Sequence, residues 1–221
     1  FGSGDRICYH GVLDSFRNPK LSAAVYASQK TPRSPSDIVL EVSSSMALGD
    51  HPGGFAGACW AFTNAESLRL YRDNDFVAEF TPDRRGRFAA LPHPPIEIQD
   101  FVGSLLEKYE GLDQSTAPQV AAILNEMRRD ALNLSPLSRA RMLSLRLSAN
   151  DLLRMYYKYI GVLGGPSSVY RFEAVWHGRT VRTVVKEPVQ SVRLECVVHN
   201  PILTDGPTWD CAAVSLRAID Q

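Results

Sequence analysis

Ala58-Cys59-Trp60-Ala61-Phe62-Thr63-Asn64, Ser67-Leu68-Arg69-Leu70-Tyr71 and Phe76-Val77-Ala78-Glu79-Phe80 are the runs on which the fold turns. The first is apolar and rich in strand-forming residues, as a buried strand is. The other two face each other across Asp73-Asn74-Asp75, residues that turn a chain tightly, so together they predict a β-hairpin.

The same pattern spreads outward. Ile38, Leu40 and Val42 alternate with polar neighbours and are followed by a Gly-rich loop at Gly49-Asp50-His51-Pro52-Gly53-Gly54. Further on, Tyr170-Arg171-Phe172-Glu173-Ala174-Val175-Trp176, a His177-Gly178 turn and Thr180-Val181-Arg182-Thr183-Val184-Val185 predict a second hairpin. Val192, Leu194, Cys196 and Val198 alternate, as do Ala212, Val214, Leu216 and Ala218. Short alternating strands separated by turns predict an immunoglobulin-like antiparallel β-sandwich. No fixed period points to a solenoid.

The period changes after Pro92-His93-Pro94-Pro95. Val120, Ile123, Leu124, Met127 and Ala131 recur at helical spacing. A helix over 152–160 has Ser148 and Asp151 placed as a capping box, Leu152, Leu153, Tyr156 and Ile160 on one side, and Gly161 at its end. The expected fold is therefore mainly β with a helical insert at about 101–160. At the other end, Cys8-Tyr9-His10-Gly11-Val12-Leu13 reads as a strand end, Arg17-Asn18-Pro19-Lys20 as a loop, and 21–29 as a helix with Leu21, Ala24, Val25 and Ser28 on one face. Thr31-Pro32-Arg33-Ser34-Pro35-Ser36 breaks that helix as a linker would.

Composition narrows the function classes. The chain has 221 residues, 44% of them hydrophobic, enough for a buried core. Its 24 Lys and Arg balance 24 Asp and Glu, so no long-range field gathers nucleic acid or an anionic membrane. No apolar run of about 18 residues suits a bilayer, and the first residues lack the pattern of a secretion signal. A start at Phe1 and a stop in mid-alternation suggest a piece of something longer. Cys8, Cys59, Cys196 and Cys211 are widely spaced without a Cys-x-x-Cys pair, against structural zinc. They read as core thiols, with a Cys196–Cys211 bridge between neighbouring strands as the alternative. Few cysteines favour a reducing compartment, hence a cytoplasmic location. His51, His93, His177 and His199 lack metal-ligand spacing and suit loops and turns. No phosphate-cradling loop or Gly-x-Ser-x-Gly elbow occurs, so no cofactor is expected.

Tyr9-His10-Gly11-Val12-Leu13-Asp14-Ser15-Phe16-Arg17-Asn18-Pro19-Lys20-Leu21-Ser22-Ala23-Ala24 resembles the last strand, loop and helix of the catalytic (β/α)8 barrel in family 2 glycoside hydrolases, the β-galactosidase and β-glucuronidase group. Phe62-Thr63-Asn64, followed by Leu68-Arg69-Leu70-Tyr71 and Phe76-Val77, is similar to the sandwich domain after that barrel, although the family usually has Asn-Gly where Asp73-Asn74-Asp75 stands. The segment 205–221 looks like the opening of a further sandwich domain. The resemblance implies a barrel remnant over 1–30, a sandwich over 31–200 and a truncated domain over 201–221.

It also implies where chemistry lies. Retaining hydrolysis uses two carboxyl groups about 5 to 5.5 Å apart. In the family both come from earlier barrel strands, so no catalytic residue is expected here. Glu41, Glu66, Glu79 and Glu173 read as solvated strand or turn residues. Tyr9 and His10 are the candidate substrate contacts, one stacking on a sugar and one hydrogen-bonding a hydroxyl. Packing against barrel residues is their other reading. β-Glucuronidases typically carry Asn-x-Lys at the place of Cys8-Tyr9-His10, so a neutral sugar such as galactose is the expected substrate rather than glucuronic acid. Expected partners are the carbohydrate, the missing barrel and a second copy in a homo-oligomer. The cations of the insert, Arg128, Arg129, Arg139, Arg141, Arg146, Arg154 and Lys158, read as a solvated helix face or a surface for an anionic partner. A free-standing carbohydrate-binding or adhesive module is the competing account. It needs an exposed aromatic platform at Trp60, Trp176 or Trp209, which otherwise read as core.

Overall fold

Alternating side chains place apolar groups on one sheet face and polar groups on the other, and the chain uses this twice to close a core. The structure, a computed structural model, describes residues 11–14, 17–44, 46, 58–130, 133–161, 168–187, 192–199, 201–206 and 210–220. It divides into two units, Phe1–Glu187 and Pro188–Gln221.

The first unit begins with helix α1 (Leu21–Ala27). Strands β1 (Leu40–Val42), β2 (Cys59–Thr63), β3 (Ser67–Arg72), β4 (Asp75–Phe80) and β5 (Ile96–Ile98) follow. After them come helices α2 (Leu105–Glu110), α3 (Ala117–Arg129), α4 (Pro136–Ser144) and α5 (Ala149–Tyr159), then strands β6 (Tyr170–Trp176) and β7 (Arg179–Lys186). One antiparallel sheet has the order β1-β2-β5 and the other β4-β3-β6-β7. This is the immunoglobulin arrangement, three strands on one side and, on the other, a four-stranded sheet of two hairpins joined through β3 and β6. Leu40, Ala61, Ile96 and Ile98 from the first sheet meet Leu68, Leu70, Phe172 and Ala174 from the second in one core. The expected antiparallel sandwich is present. Strand β5 is an addition: Ile96 and Ile98 alternate too briefly, directly after prolines, to stand out in the sequence.

The turns explain the departure from Asn-Gly. Asp73 and Asn74 sit at φ 48° and 73°, the left-handed pair a two-residue hairpin needs, and Asp and Asn tolerate it better than most side chains. The Asp73 carboxylate also accepts from the Val169 amide at 2.8 Å, tying the hairpin to the approach of β6.

Between β5 and β6 the helical insert is present, and it shares the sandwich core. Val120, Ile123, Leu124 and Met127 of α3 are buried as their spacing predicts, while Ala131 lies outside the described residues. Ser148 caps α5 by accepting from the Asp151 amide at 3.1 Å, and Gly161 takes φ 100° just past its end. Of the face expected for α5, Leu152 and Ile160 are buried and Leu153 and Tyr156 pack half-buried against the core, while Met155 and Tyr159 widen the buried stripe. Gly103 makes the close joint: at φ 45°, a Cβ there would lie 2.0 Å from the Val77 carbonyl oxygen.

In the second unit, β8 (Val192–His199) pairs antiparallel with β9 (Ala213–Asp220), Cys196 standing opposite Leu216. Leu194 and Leu216 on this ribbon are 73% and 67% exposed. Cys196 and Cys211 are free and exposed, which corrects both the core-thiol reading and the bridge. Register is the reason, because Cys211 precedes β9 and does not face Cys196. Cys59 is buried as expected, and Cys8 lies outside the described residues.

Candidate functional site

Tyr9 and His10, the residues predicted to touch sugar, lie outside the described residues. The structure does place the chain that follows them. Leu13 bridges Pro19, the Lys20 amide donates to the Val12 carbonyl at 2.9 Å, and the Asn18 amide donates to the Asp14 carboxylate at 2.8 Å. This closes a tight loop whose end starts α1.

Helix α1 buries none of its side chains, and Tyr26 is 72% exposed. Polar clamps at its C-terminal end do the holding. Gln29 Nε2 donates to the His93 carbonyl at 2.9 Å while the His93 amide donates back to Gln29 Oε1 at 3.1 Å. Asn64, 2% exposed at the end of β2, receives the Val39 amide on Oδ1 at 2.8 Å and donates from Nδ2 to the carbonyls of Lys30 and Asp37 at 2.9 and 3.1 Å. Both amide hydrogens and one oxygen acceptor site are engaged, so the Asn is a structural bolt. Hydrogen bonds from Lys30 and the Arg33 amide hold the Asp37 carboxyl at about 2, and Asp37 in turn caps the single turn Pro35–Asp37. The stretch read as a linker is thus an ordered strap between α1 and β1.

Glu41, Glu66, Glu79 and Glu173 each have structural partners. Glu41 faces Lys186 at 3.5 Å, Glu66 accepts from the His177 amide at 2.9 Å, and Glu79 accepts from Ser67 at 2.5 Å and Arg69 at 3.0 Å. Glu173 corrects the solvated reading: it is 7% exposed, held by Arg171 and by Thr180 Oγ1 at 3.1 Å. Strand β6 is central, so its outward side chains are covered by neighbours on both sides.

One open cleft brings aromatic and polar groups together. Half-buried Trp60 on β2 lies across from Glu97 on β5, and Phe88 meets its ring edge-on at 5.5 Å. Trp176, also half-buried, packs against the core and His177, and Trp209 lies outside the described residues.

No family model matches the chain. Over 98 residues it is 41% identical to a β-galactosidase of Thermoanaerobacter pseudethanolicus, and over 100 residues 40% identical to a β-galactosidase of Thermoanaerobacterium thermosulfurigenes. The chain is related to bacterial β-galactosidases. Each match takes in 44% of this chain and 13% of the relative's length.

In this β-galactosidase-related chain Arg128, Arg129, Arg154 and Lys158 of the insert have partners within the fold. Arg154 and Lys158 reach Glu110 at 2.9 and 2.7 Å, and Tyr159 Oη donates to it at 2.8 Å. Burial pushes the Glu110 carboxyl up, but these three donors outweigh it and hold it at about 2. Arg128 is 4% exposed with its guanidinium 4.5 Å from the Phe101 ring centroid, so it belongs to the core and not to a solvated face. Burial lowers its ordinary value. Neither Glu110 nor Phe101 was legible as a partner, because both contacts join segments far apart in sequence. Among the described residues no His, Cys, Asp or Glu cluster is arranged to hold a metal, and no helix is long and apolar enough to cross a membrane.

Proposed function

We propose that this chain is a non-catalytic portion of a glycoside hydrolase of family 2 that cleaves β-glycosides of a neutral sugar such as galactose. In this reading residues 1–30 complete a catalytic barrel, and the sandwich braces that barrel's last helix. Segment 201–221 opens a further sandwich domain. The two carboxyl groups of a retaining mechanism stand on other residues, one protonating the leaving oxygen and one forming the glycosyl intermediate. Tyr9 and His10 contribute from the loop before α1, where barrel enzymes place substrate contacts.

The observation that carries the reading is the clamp on α1. A seven-residue helix with no buried side chain is not a stable element alone, yet three hydrogen bonds hold the chain just past its end, two between Gln29 and His93 and one from Asn64 to the Lys30 carbonyl. Such fastening suits a helix whose other face, with Tyr26 exposed, packs on a barrel. The engagement of Glu41, Glu66, Glu79 and Glu173 by basic or hydroxyl partners, or by a backbone amide, supports a bracing role over catalysis.

The test is a chimera in which the matched stretch of the Thermoanaerobacter pseudethanolicus β-galactosidase is replaced by the corresponding residues of this chain. A nitrophenyl β-galactoside should be hydrolysed by the chimera and untouched by the chain alone. Hydrolysis by the isolated chain, or an inactive but folded chimera, overturns the proposal.

A further inference from the structure

The aromatic cleft is built by elements that do not include α1 or the loop before it. Its floor is the outer face of β2 and β5, where Trp60 and Glu97 are direct cross-strand neighbours. Its wall is the loop after β4. Phe88 stands at 87° to the indole plane, and the Arg87 guanidinium lies 5.3 Å from the Phe88 ring centroid. The volume of the open cleft is about 740 Å³, within the range of clefts that hold small ligands.

The wall is shaped before any ligand arrives. The Arg85 amide donates to Asp83 Oδ1 at 2.9 Å, folding the Asp83 carboxylate back over Gly86. Arg84 reaches the Pro92 carbonyl at 3.4 Å, and the Gln29 clip on His93 secures the far end. A preformed wall lowers the ordering cost of binding.

Charge and chemistry then select the occupant. Glu79, Asp83 and Glu97 face the cleft against Arg84, Arg85 and Arg87, three acids to three bases, so neither an anion nor a cation is favoured. An apolar partner would leave these ionic groups desolvated without compensation. A neutral pyranose suits both parts: its C–H face lies on the indole, and its hydroxyls donate to carboxylates and accept from guanidinium and amide groups. Gln99 Nε2 already donates to Glu97 Oε2 at 3.0 Å, orienting the carboxylate beside the ring.

We infer that the Trp60–Phe88–Glu97 cleft is a binding site for a neutral galactoside. The choice of sugar rests on the β-galactoside reading above. The site holds the glycan without cleaving it.

The experiment titrates the isotopically labelled 221-residue chain with lactose and follows the Trp60 indole N–H and the Phe88 and Glu97 amides by NMR. A saturable shift at all three is expected. Glu97→Gln, which keeps the shape of the strand, should weaken binding about tenfold, and Trp60→Ala at least as much, read on the Phe88 amide. Galacturonate should bind no better than lactose. No shift with lactose, or shifts that persist unchanged in Glu97→Gln, overturns the site. An active chimera with a silent Trp60 rejects the cleft and keeps the bracing role. An inactive chimera with a responsive Trp60 keeps the cleft and favours a free-standing sugar-binding module.

Discussion

Arg72 Nη1 donates to the carbonyl oxygen of Tyr159 at 2.6 Å, joining strand β3 to the C-terminus of α5 across 87 residues of chain. Nη2 of the same guanidinium reaches the Lys158 carbonyl at 2.9 Å and Nε reaches Ser168 Oγ at 2.9 Å. The last carbonyls of a helix have no partners within it and carry the negative end of its dipole, so a buried cation satisfies both needs. The insert is thereby locked to β3, a central strand of the four-stranded sheet.

Arg72→Ala should destabilise the first unit by about 2–4 kcal/mol, because it strands buried acceptors as well as removing a cation. Urea denaturation measures this. Arg72→Lys should recover only part of the loss, since one ammonium cannot match the guanidinium fork.

Glu110 supplies a pH dependence. Its carboxyl is held at about 2 against an ordinary value of 4.5 by hydrogen bonds from Lys158, Arg154 and Tyr159, which prevail over burial. The folded value is the lower one, so the group stabilises the fold above the unfolded value and ceases to do so as pH falls from about 4.5 to about 2. Glu110→Gln should therefore be less stable than the parent at neutral pH, with the gap closing through that window in denaturation midpoints taken at successive pH values.

Gly103→Ala meets two obstacles together, a left-handed backbone and the Val77 carbonyl at 2.0 Å. A loss of about 2–4 kcal/mol is expected in thermal unfolding. Gly111→Ala is the control: it shares a positive φ of 65° but has open space around it, so its loss should be smaller, about 1 kcal/mol.

Thiol labelling separates the cysteines. Cys196 and Cys211 should react in the native state, and Cys59 only on unfolding, because burial both shields it and raises its thiol above the usual range. Mass spectrometry of the labelled peptides reads this directly, and rapid native labelling of Cys59 would show β2 to be open.

Much of the fold was legible because it rests on local rules. The two hairpins follow from alternation and from Asp73-Asn74 and His177-Gly178, and the end of α5 from Ser148 and Gly161. The deeper burial of Met155 than of Leu153 on α5 was not, since both are apolar and only the neighbouring helices and sheet decide which is fully covered. Trp60 was legible as a candidate platform, but its partner Phe88 was not, because no period marks the loop that carries it.

By itself the sequence determined the strand and helix periods and the resemblance to family 2 glycoside hydrolases, which depend on residues close together along the chain, and the balanced charge, which is a sum over residue types. Tertiary structure alone decided that Asn64 bolts the strap, that Glu173 and Arg128 are buried, and that Arg72 ends α5. A buried polar group is defined by partners it meets only after distant segments pack, and no local pattern records those meetings.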